Sequence, residues 1–100
     1  MKPSLWTLWP AVLMAALGVA HAAGDAAAGK TTSGECVACH GSKGEGVEAP
    51  RLAGMTEAQL LQAMQDYKAG KRDDAGMKAL MNKLSDRDLE NLAAYYASLK

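Results

Sequence analysis

The residues best able to do chemistry in this chain are Cys36, Cys39 and His40, which form the pattern Cys-x-x-Cys-His. Two thiols separated by two residues can reach the two vinyl groups on one edge of a porphyrin, and the next imidazole can then point to its iron. This spacing is typical of covalent c-type haem attachment. The sequence therefore predicts one haem c, with Cys36 and Cys39 as its thioether links and His40 as the first axial iron ligand.

Other uses of a Cys-x-x-Cys pair fit the rest of the sequence less well. A thioredoxin-like dithiol belongs to a fold that alternates strands and helices, and this sequence shows no strand pattern. A closed zinc site needs four ligands, but no second cysteine pair exists, and His21 lies in a segment that we expect to be removed. A structural disulfide between Cys36 and Cys39 remains an alternative in an oxidising compartment.

The second axial ligand is expected to be a methionine, because the processed chain would contain no other histidine. His/Met ligation raises the reduction potential into the electron-transfer range. Met55 is predicted to pack as a hydrophobic staple just before the cap of a helix, and Met64 falls on the apolar face of that helix, so packing in the core is favoured for both. Met77 and Met81 lie in a predicted loop. We favour Met77, since it follows Gly76 where the backbone can present a side chain, and Met81 is the alternative.

The N-terminal segment has the pattern of a secretory signal peptide. Lys2 supplies a positive charge, and residues 5–20 form a largely apolar run that is followed by a small-x-small cleavage site. We expect residues 1–22 to be removed and residues 23–100 to form one domain in the periplasm, with no membrane span after cleavage. An uncleaved anchor is less favoured, because the apolar run is shorter than the roughly 20 residues that a spanning helix needs.

Composition limits the class of protein further. The 100 residues contain 11 Lys and Arg against 11 Asp and Glu, so the basic excess typical of a nucleic-acid binder is absent. No Trp, Phe or Ile follows the N-terminal segment, and a domain of this size buries only about 60% of its unfolded surface. We therefore expect a group other than amino acids to fill part of the core, as a flat apolar haem would.

Capping signals indicate where the helices begin and end. Asp25 is a predicted N-cap for a short helix that leads towards the cysteines. Thr56 and Gln59 have the spacing of a capping box at the start of a long helix, and Gly70 is expected to end it. Ser85 is the predicted N-cap of a second long helix.

The segment between these two long helices is predicted as a loop over residues 70–84, with at most a short helical turn at Leu80 and Met81. Since no strand pattern occurs, the predicted fold is all-α. Three or four short helices, joined by glycine-rich loops, would wrap around one covalently attached haem.

Several stretches after the N-terminal segment carry a resemblance to a known family: Gly24–Lys30, Cys36–Gly41, Gly44–Gly46, Pro50–Gly54, Tyr67–Arg72, Leu84–Asp86 and Leu92–Tyr96. In these stretches the chain resembles the class I c-type cytochromes of the small bacterial monohaem kind, close to one domain of cytochrome c4. Cytochrome c4 proper has two such domains. One departure is Met55, which stands where the family usually has Gln.

The resemblance implies roles for individual residues. Met77 stands seven residues before the Leu-Ser-Asp element, which is the family's usual place for the axial methionine. Pro50 matches a proline whose carbonyl takes a hydrogen bond from the proximal imidazole, a bond that fixes the ring. The family also packs its terminal helices across each other, which would bring Gly29 against Tyr95 or Tyr96.

The predicted function is that of a periplasmic electron carrier with His/Met ligation, not of an enzyme, and no small-molecule substrate is expected. Its partners would be redox proteins, such as a periplasmic reductase, an oxidase or a flavoprotein. Basic residues could ring the exposed haem edge and steer an acidic partner, or form an ordinary solvated surface: Lys43, Lys68, Lys71, Arg72, Lys78 and Lys83.

Two alternatives differ in class. The run Leu52–Glu57 is also similar to the haem subunit of flavocytochrome c sulfide dehydrogenases, so a haem subunit of a stable flavoprotein or other redox complex is the second hypothesis. An enzyme or gas sensor with an open iron position is the third. It is disfavoured, because Met77 is in the family position and the sequence offers no distal histidine.

Overall fold

The structure is a computed structural model, and it describes residues 24–99. The predicted signal peptide, residues 1–22, lies outside them. The described chain contains five α-helices and one 3₁₀ turn and has no strand: α1 Ala26–Thr32, the 3₁₀ turn Ser33–Glu35, α2 Val37–His40, α3 Glu57–Ala69, α4 Ala75–Asn82 and α5 Asp86–Ser98. The all-α prediction is confirmed. Over residues 24–99, no helix combines the length and apolar character needed to cross a membrane.

The predicted caps begin and end the helices where expected. The Asp25 carboxylate accepts hydrogen bonds from the first N–H groups of α1. Thr56 and Gln59 form the reciprocal capping box of α3, and Gly70 ends that helix in the left-handed conformation with φ 80°. Ser85 begins α5, where Asp88 completes a second capping box that the sequence analysis did not predict.

The predicted loop over residues 70–84 is wrong over much of its length, because α4 occupies Ala75–Asn82. The carboxylate of Asp74 accepts the N–H of Met77 at 3.0 Å and so caps this helix. Its first turn contains Gly76, which the sequence analysis had taken as a sign of a loop. Met77 consequently lies in the first turn of a helix.

The crossing of α1 and α5 forms one side of the molecule. Gly29 is buried there and lies directly against the backbone of Asn91 and the Cβ of Tyr95. The Asn91 side chain also accepts the N–H of Asp25 at 2.8 Å. The small residue at position 29 thus allows the two helices to approach closely, as the resemblance implied.

The hydrophobic core of the described chain is small. Its buried apolar residues come mainly from α5 and the segments that pack on it: Ala53, Leu60, Met81, Leu89, Leu92, Ala93 and Tyr96. Among the large side chains, Met81, Leu89 and Leu92 are fully buried. This agrees with the expectation that amino acids alone fill the core incompletely.

Gly29→Ala is expected to lower the free energy of unfolding by about 2 kcal/mol. The new Cβ would overlap the Asn91 carbonyl group and lie 2.8 Å from the Cβ of Tyr95. Separating two helix backbones costs more than the roughly 1 kcal/mol that alanine gains over glycine in a helix. Gly34→Ala is the matched control, because nothing lies within 4 Å of a Cβ at that position.

Denaturant unfolding of the haem-containing proteins, followed by far-UV circular dichroism, measures the difference. Equal midpoints for the two variants would contradict the close crossing of α1 and α5.

Candidate functional site

The Cys-x-x-Cys-His motif forms a single helical turn. Cys36 is the N-cap of α2, and Cys39 and His40 are the last two residues of this helix. Residues three apart on a helix face the same side, so both sulfurs point to the same side of this turn. In the described chain both thiols are free. Cys36 is half-buried against the core cluster around Leu92, and Cys39 is exposed.

The Cys36 thiol lies next to a carboxylate and a buried hydroxyl as well as the apolar core. Burial raises the pKa of its thiol, and the charge of Glu35 adds to this effect, while the neighbouring Tyr96 hydroxyl opposes it. Burial also raises the pKa of the Tyr96 hydroxyl. Within residues 24–99 that hydroxyl is buried beside the Cys36 thiol and makes no hydrogen bond of good geometry. An unsatisfied hydroxyl next to Cys36 is a feature expected where a further group completes the site.

His40 is held with one ring nitrogen engaged and the other available. The side chain is buried, and its Nδ1 lies 2.8 Å from the carbonyl oxygen of Pro50. With Nδ1–H donating to this carbonyl, Nε2 carries the lone pair that can bind a metal. The hydrogen bond that the resemblance implied for Pro50 is thus present in the structure, and the iron-binding role of His40 stays a prediction.

A backbone network ties the loop after α2 to the motif itself. The carbonyl of Cys39 lies 2.9–3.3 Å from the N–H groups of residues 47–49, and the carbonyl of His40 accepts the N–H of Gly46 at 2.8 Å. These bonds bring the chain back over the motif and so deliver Pro50 to the histidine ring. Sequence reasoning missed this network, and its one sequence signal was the cluster of turn-forming glycines.

Two of those glycines have conformations that favour glycine strongly. Gly41 and Gly46 have φ of 90° and 89°. Between them the Glu45 carboxylate packs against Gly41 and accepts the N–H of Lys43 at 2.9 Å. Hydrogen bonds from backbone N–H groups, its own and that of Lys43, lower the pKa of Glu45. This carboxylate therefore stabilises the tight turn that follows the motif.

The two candidate axial methionines differ in burial. Met77 and Met81 are four residues apart on α4 and so lie on the same face of the helix. Met81 is fully buried and lines a cavity of about 30 Å³ together with Cys36 and Leu84. Met77 is half-buried. Core packing thus engages Met81, as the sequence suggested, and leaves Met77 less enclosed.

Some of the basic residues expected at the haem edge make local contacts instead. Lys68 reaches a backbone carbonyl, Lys83 lies 3.7 Å from Glu35, and the Arg72 guanidinium lies 4.6 Å from the centre of the Tyr67 ring. Lys68 is half-buried, and the other five members of the set are exposed: Lys43, Lys71, Arg72, Lys78 and Lys83. Lys68 is therefore less accessible to a partner than the other five residues, and the choice between a steering ring and an ordinary solvated surface stays a prediction.

The described residues fit a covalently attached haem. One turn provides two free thiols and an oriented imidazole. The core beside it is edged by apolar side chains that are only partly buried. These partly buried side chains include Leu52, Met55, Leu61, Met64 and Leu84. A bound haem would shield apolar side chains of this kind from water. Over the described ranges, no group of three or more His, Cys, Asp or Glu side chains is placed to hold a bare metal ion.

Comparison with known proteins gives a consistent result. A family model described as "Cytochrome c" matches residues 26–100. Cytochrome c4 of Pseudomonas aeruginosa is 51% identical over 85 residues, covering 83% of this chain and 42% of the relative. Cytochrome c-554(548) of Halomonas halodenitrificans is 44% identical over 82 residues, covering 76% of this chain and 98% of the relative.

Among solved structures, the crystal structure of reduced recombinant cytochrome c4 from Pseudomonas stutzeri superposes with a TM-score of 0.73 at 42% identity. The match covers 78% of this chain and 47% of that chain. The chain thus spans less than half the length of these cytochrome c4 relatives and nearly the full length of cytochrome c-554(548).

Proposed function

This chain belongs to the cytochrome c family, and from this premise we propose that it is a periplasmic electron carrier whose haem iron has His40 and Met77 as axial ligands. The family membership establishes an electron-transfer haem protein with covalently bound haem c. The ligands, the location and the partners are the parts that we propose.

The single turn that carries Cys36, Cys39 and His40 is the observation that carries this proposal. The two thiols would hold the haem covalently, and Nε2 of His40 would bind its iron. The haem supplies one-electron exchange between the ferric and ferrous states. The Pro50 carbonyl, which accepts a hydrogen bond from Nδ1, fixes the ring and increases its basicity.

Met77 is the proposed second axial ligand, because it is less enclosed than Met81 and stands at the position that the family resemblance implies. A thioether ligand favours the ferrous state and so raises the reduction potential. This pairing suits a protein that exchanges electrons and binds no substrate.

Export follows from the sequence pattern of residues 1–22, which we propose to be a signal peptide that is cleaved before the mature domain acts in the periplasm. The proposed partners are other redox proteins that bind briefly and through small interfaces. The exposed basic residues, among them Lys43 and Lys78, would contribute to steering an acidic partner at low ionic strength.

The test is to produce the full chain in a periplasm with a haem-attachment system and to purify the mature protein. We expect cleavage near residue 22, one covalent haem per chain, reversible one-electron oxidation, and a methionine-to-ferric-iron charge-transfer band. A protein without this band would contradict His/Met ligation. A flavoprotein that co-purifies in fixed stoichiometry would contradict a free carrier in favour of a subunit of a stable complex.

A further inference from the structure

We propose that Lys68 is a positioning residue for the methionine side of the haem site. Its ammonium group joins the last turn of α3 to the junction between α4 and α5, and so holds in place the helix that carries Met77. This inference rests on the proposed His40/Met77 ligation. It also separates Lys68 from the set of basic residues that would meet a redox partner.

The contacts of Lys68 are unlike those of an exposed lysine. Its side chain is 29% exposed. The Nζ donates to the carbonyl oxygen of Leu84 at 2.5 Å and lies 3.5 Å from the Asp86 carboxylate. The Asp86 side chain is 89% exposed, so this ion pair is well solvated and contributes little. The half-buried bond to the Leu84 carbonyl is therefore the contact that matters.

The position of Leu84 explains why this bond would act on Met77. The N–H of Leu84 bonds to the carbonyl of Met81, so Leu84 continues directly from the end of α4. That helix has no basic residue in its own last turn, and its C-cap, Lys83, has a mostly exposed side chain. A positive charge near a helix C-terminus is favourable, and Lys68 supplies one from the neighbouring helix.

Among residues 24–99, few other polar contacts join the segment 71–84, which carries Met77, to neighbouring elements. At its start, the Asp66 carbonyl lies 2.8 Å from the N–H of Lys71. At its end, the Lys83–Glu35 pair is 3.7 Å long, with both side chains about two-thirds exposed, and contributes little. The Lys68 bond is consequently the main polar restraint at the C-terminal end of α4, next to the buried side chain of Met81.

Loosening this end should weaken the Met77–iron bond before it unfolds the protein, because a ligand bond requires closer positioning than core packing does. A hydrogen bond from a charged group is stronger than one between neutral groups. If the Lys68 bond is made only while α4 is docked, its loss should shift the competition between Met77 and an added ligand by about tenfold.

The experiment measures imidazole binding to the ferric holoprotein, since imidazole replaces Met77 at the iron and abolishes the charge-transfer band. We expect Lys68→Met to bind imidazole about tenfold more tightly than wild type and to lose the band at a lower temperature. Lys68→Arg should restore most of the wild-type behaviour. Lys71→Met, which removes an exposed neighbouring charge, and Asp86→Asn, which removes the solvated ion pair, should resemble wild type.

An imidazole affinity of Lys68→Met equal to that of wild type would overturn the inference. If band loss and global unfolding then shift together to lower temperature, Lys68 has a general structural role instead. A wild-type protein that lacks the band would instead contradict the proposed ligation itself, so the two failures are distinguishable.

Discussion

A chain carrying both Cys36→Ala and Cys39→Ala will contain no covalent haem and will not form the cooperatively folded domain. The variant removes both proposed thioether links and leaves His40 as the only part of the motif that can hold iron. A domain of this size is stable by only a few kcal/mol. Since its described core has just three large, fully buried side chains, loss of the bound haem should exceed that margin.

The measurement is extraction of the purified variant with acidified organic solvent, together with far-UV circular dichroism. All haem should be extracted from the double variant and none from wild type. The single variants are the controls. Cys39→Ala replaces an exposed residue and should leave a folded protein with one thioether link, whereas Cys36→Ala also removes packing against the core cluster. A helical double variant that unfolds cooperatively without haem would contradict the idea that haem completes the core.

The parts of the fold that sequence reasoning predicted correctly depend on local signals. Asp25, Thr56 and Ser85 each bond to N–H groups within three residues, and Gly70 ends α3 through its own backbone conformation. Such signals can be found in a short stretch of sequence. The proposed haem attachment is local in the same sense, because the motif occupies one helical turn.

The incorrect prediction for residues 70–84 shows where local reasoning is ambiguous. Asp74 is both a common loop residue and a good N-cap, and Gly76 weakens a helix without preventing it. In the structure Asp74 caps α4, whose burial of Met81 against neighbouring elements stabilises the helix. Local sequence preferences thus leave a helix and a loop close in free energy over residues 75–82, and tertiary packing stabilises the helix.

Contacts between distant segments could not be predicted from the sequence alone. The Lys68–Leu84 bond joins residues 16 apart, and the Asp25–Asn91 bond joins residues 66 apart. No periodicity or spacing encodes such pairs. The closeness of Gly29 to α5 was expected solely because the chain resembles a family in which the terminal helices cross.

The second large effect is expected from Met77→Ala, which should abolish the methionine-to-ferric-iron charge-transfer band and lower the reduction potential while the haem stays covalently bound. The thioether sulfur stabilises ferrous iron more than ferric iron, so its loss should lower the reduction potential. Since Met77 is half-buried, the variant should still fold.

Met81→Ala is the matched control, because it truncates the other methionine on the same face of α4. Met81 is fully buried, so its loss should reduce the free energy of unfolding by about 2–5 kcal/mol. The band should persist in this variant at low temperature. Absorption spectra and redox titrations of both proteins, with thermal unfolding alongside, measure the two effects separately.

The two variants therefore assign ligation and packing to different residues of one helix. If Met77→Ala keeps the band and Met81→Ala loses it, Met81 is the iron ligand, and the proposed role of Met77 is wrong. If Met77→Ala alone loses the band, the half-buried residue is the ligand and the buried one supports the helix that presents it. In that case the ligand is presented by a helix and not by a loop, because Met77 lies in the first turn of α4, just after the Asp74 cap.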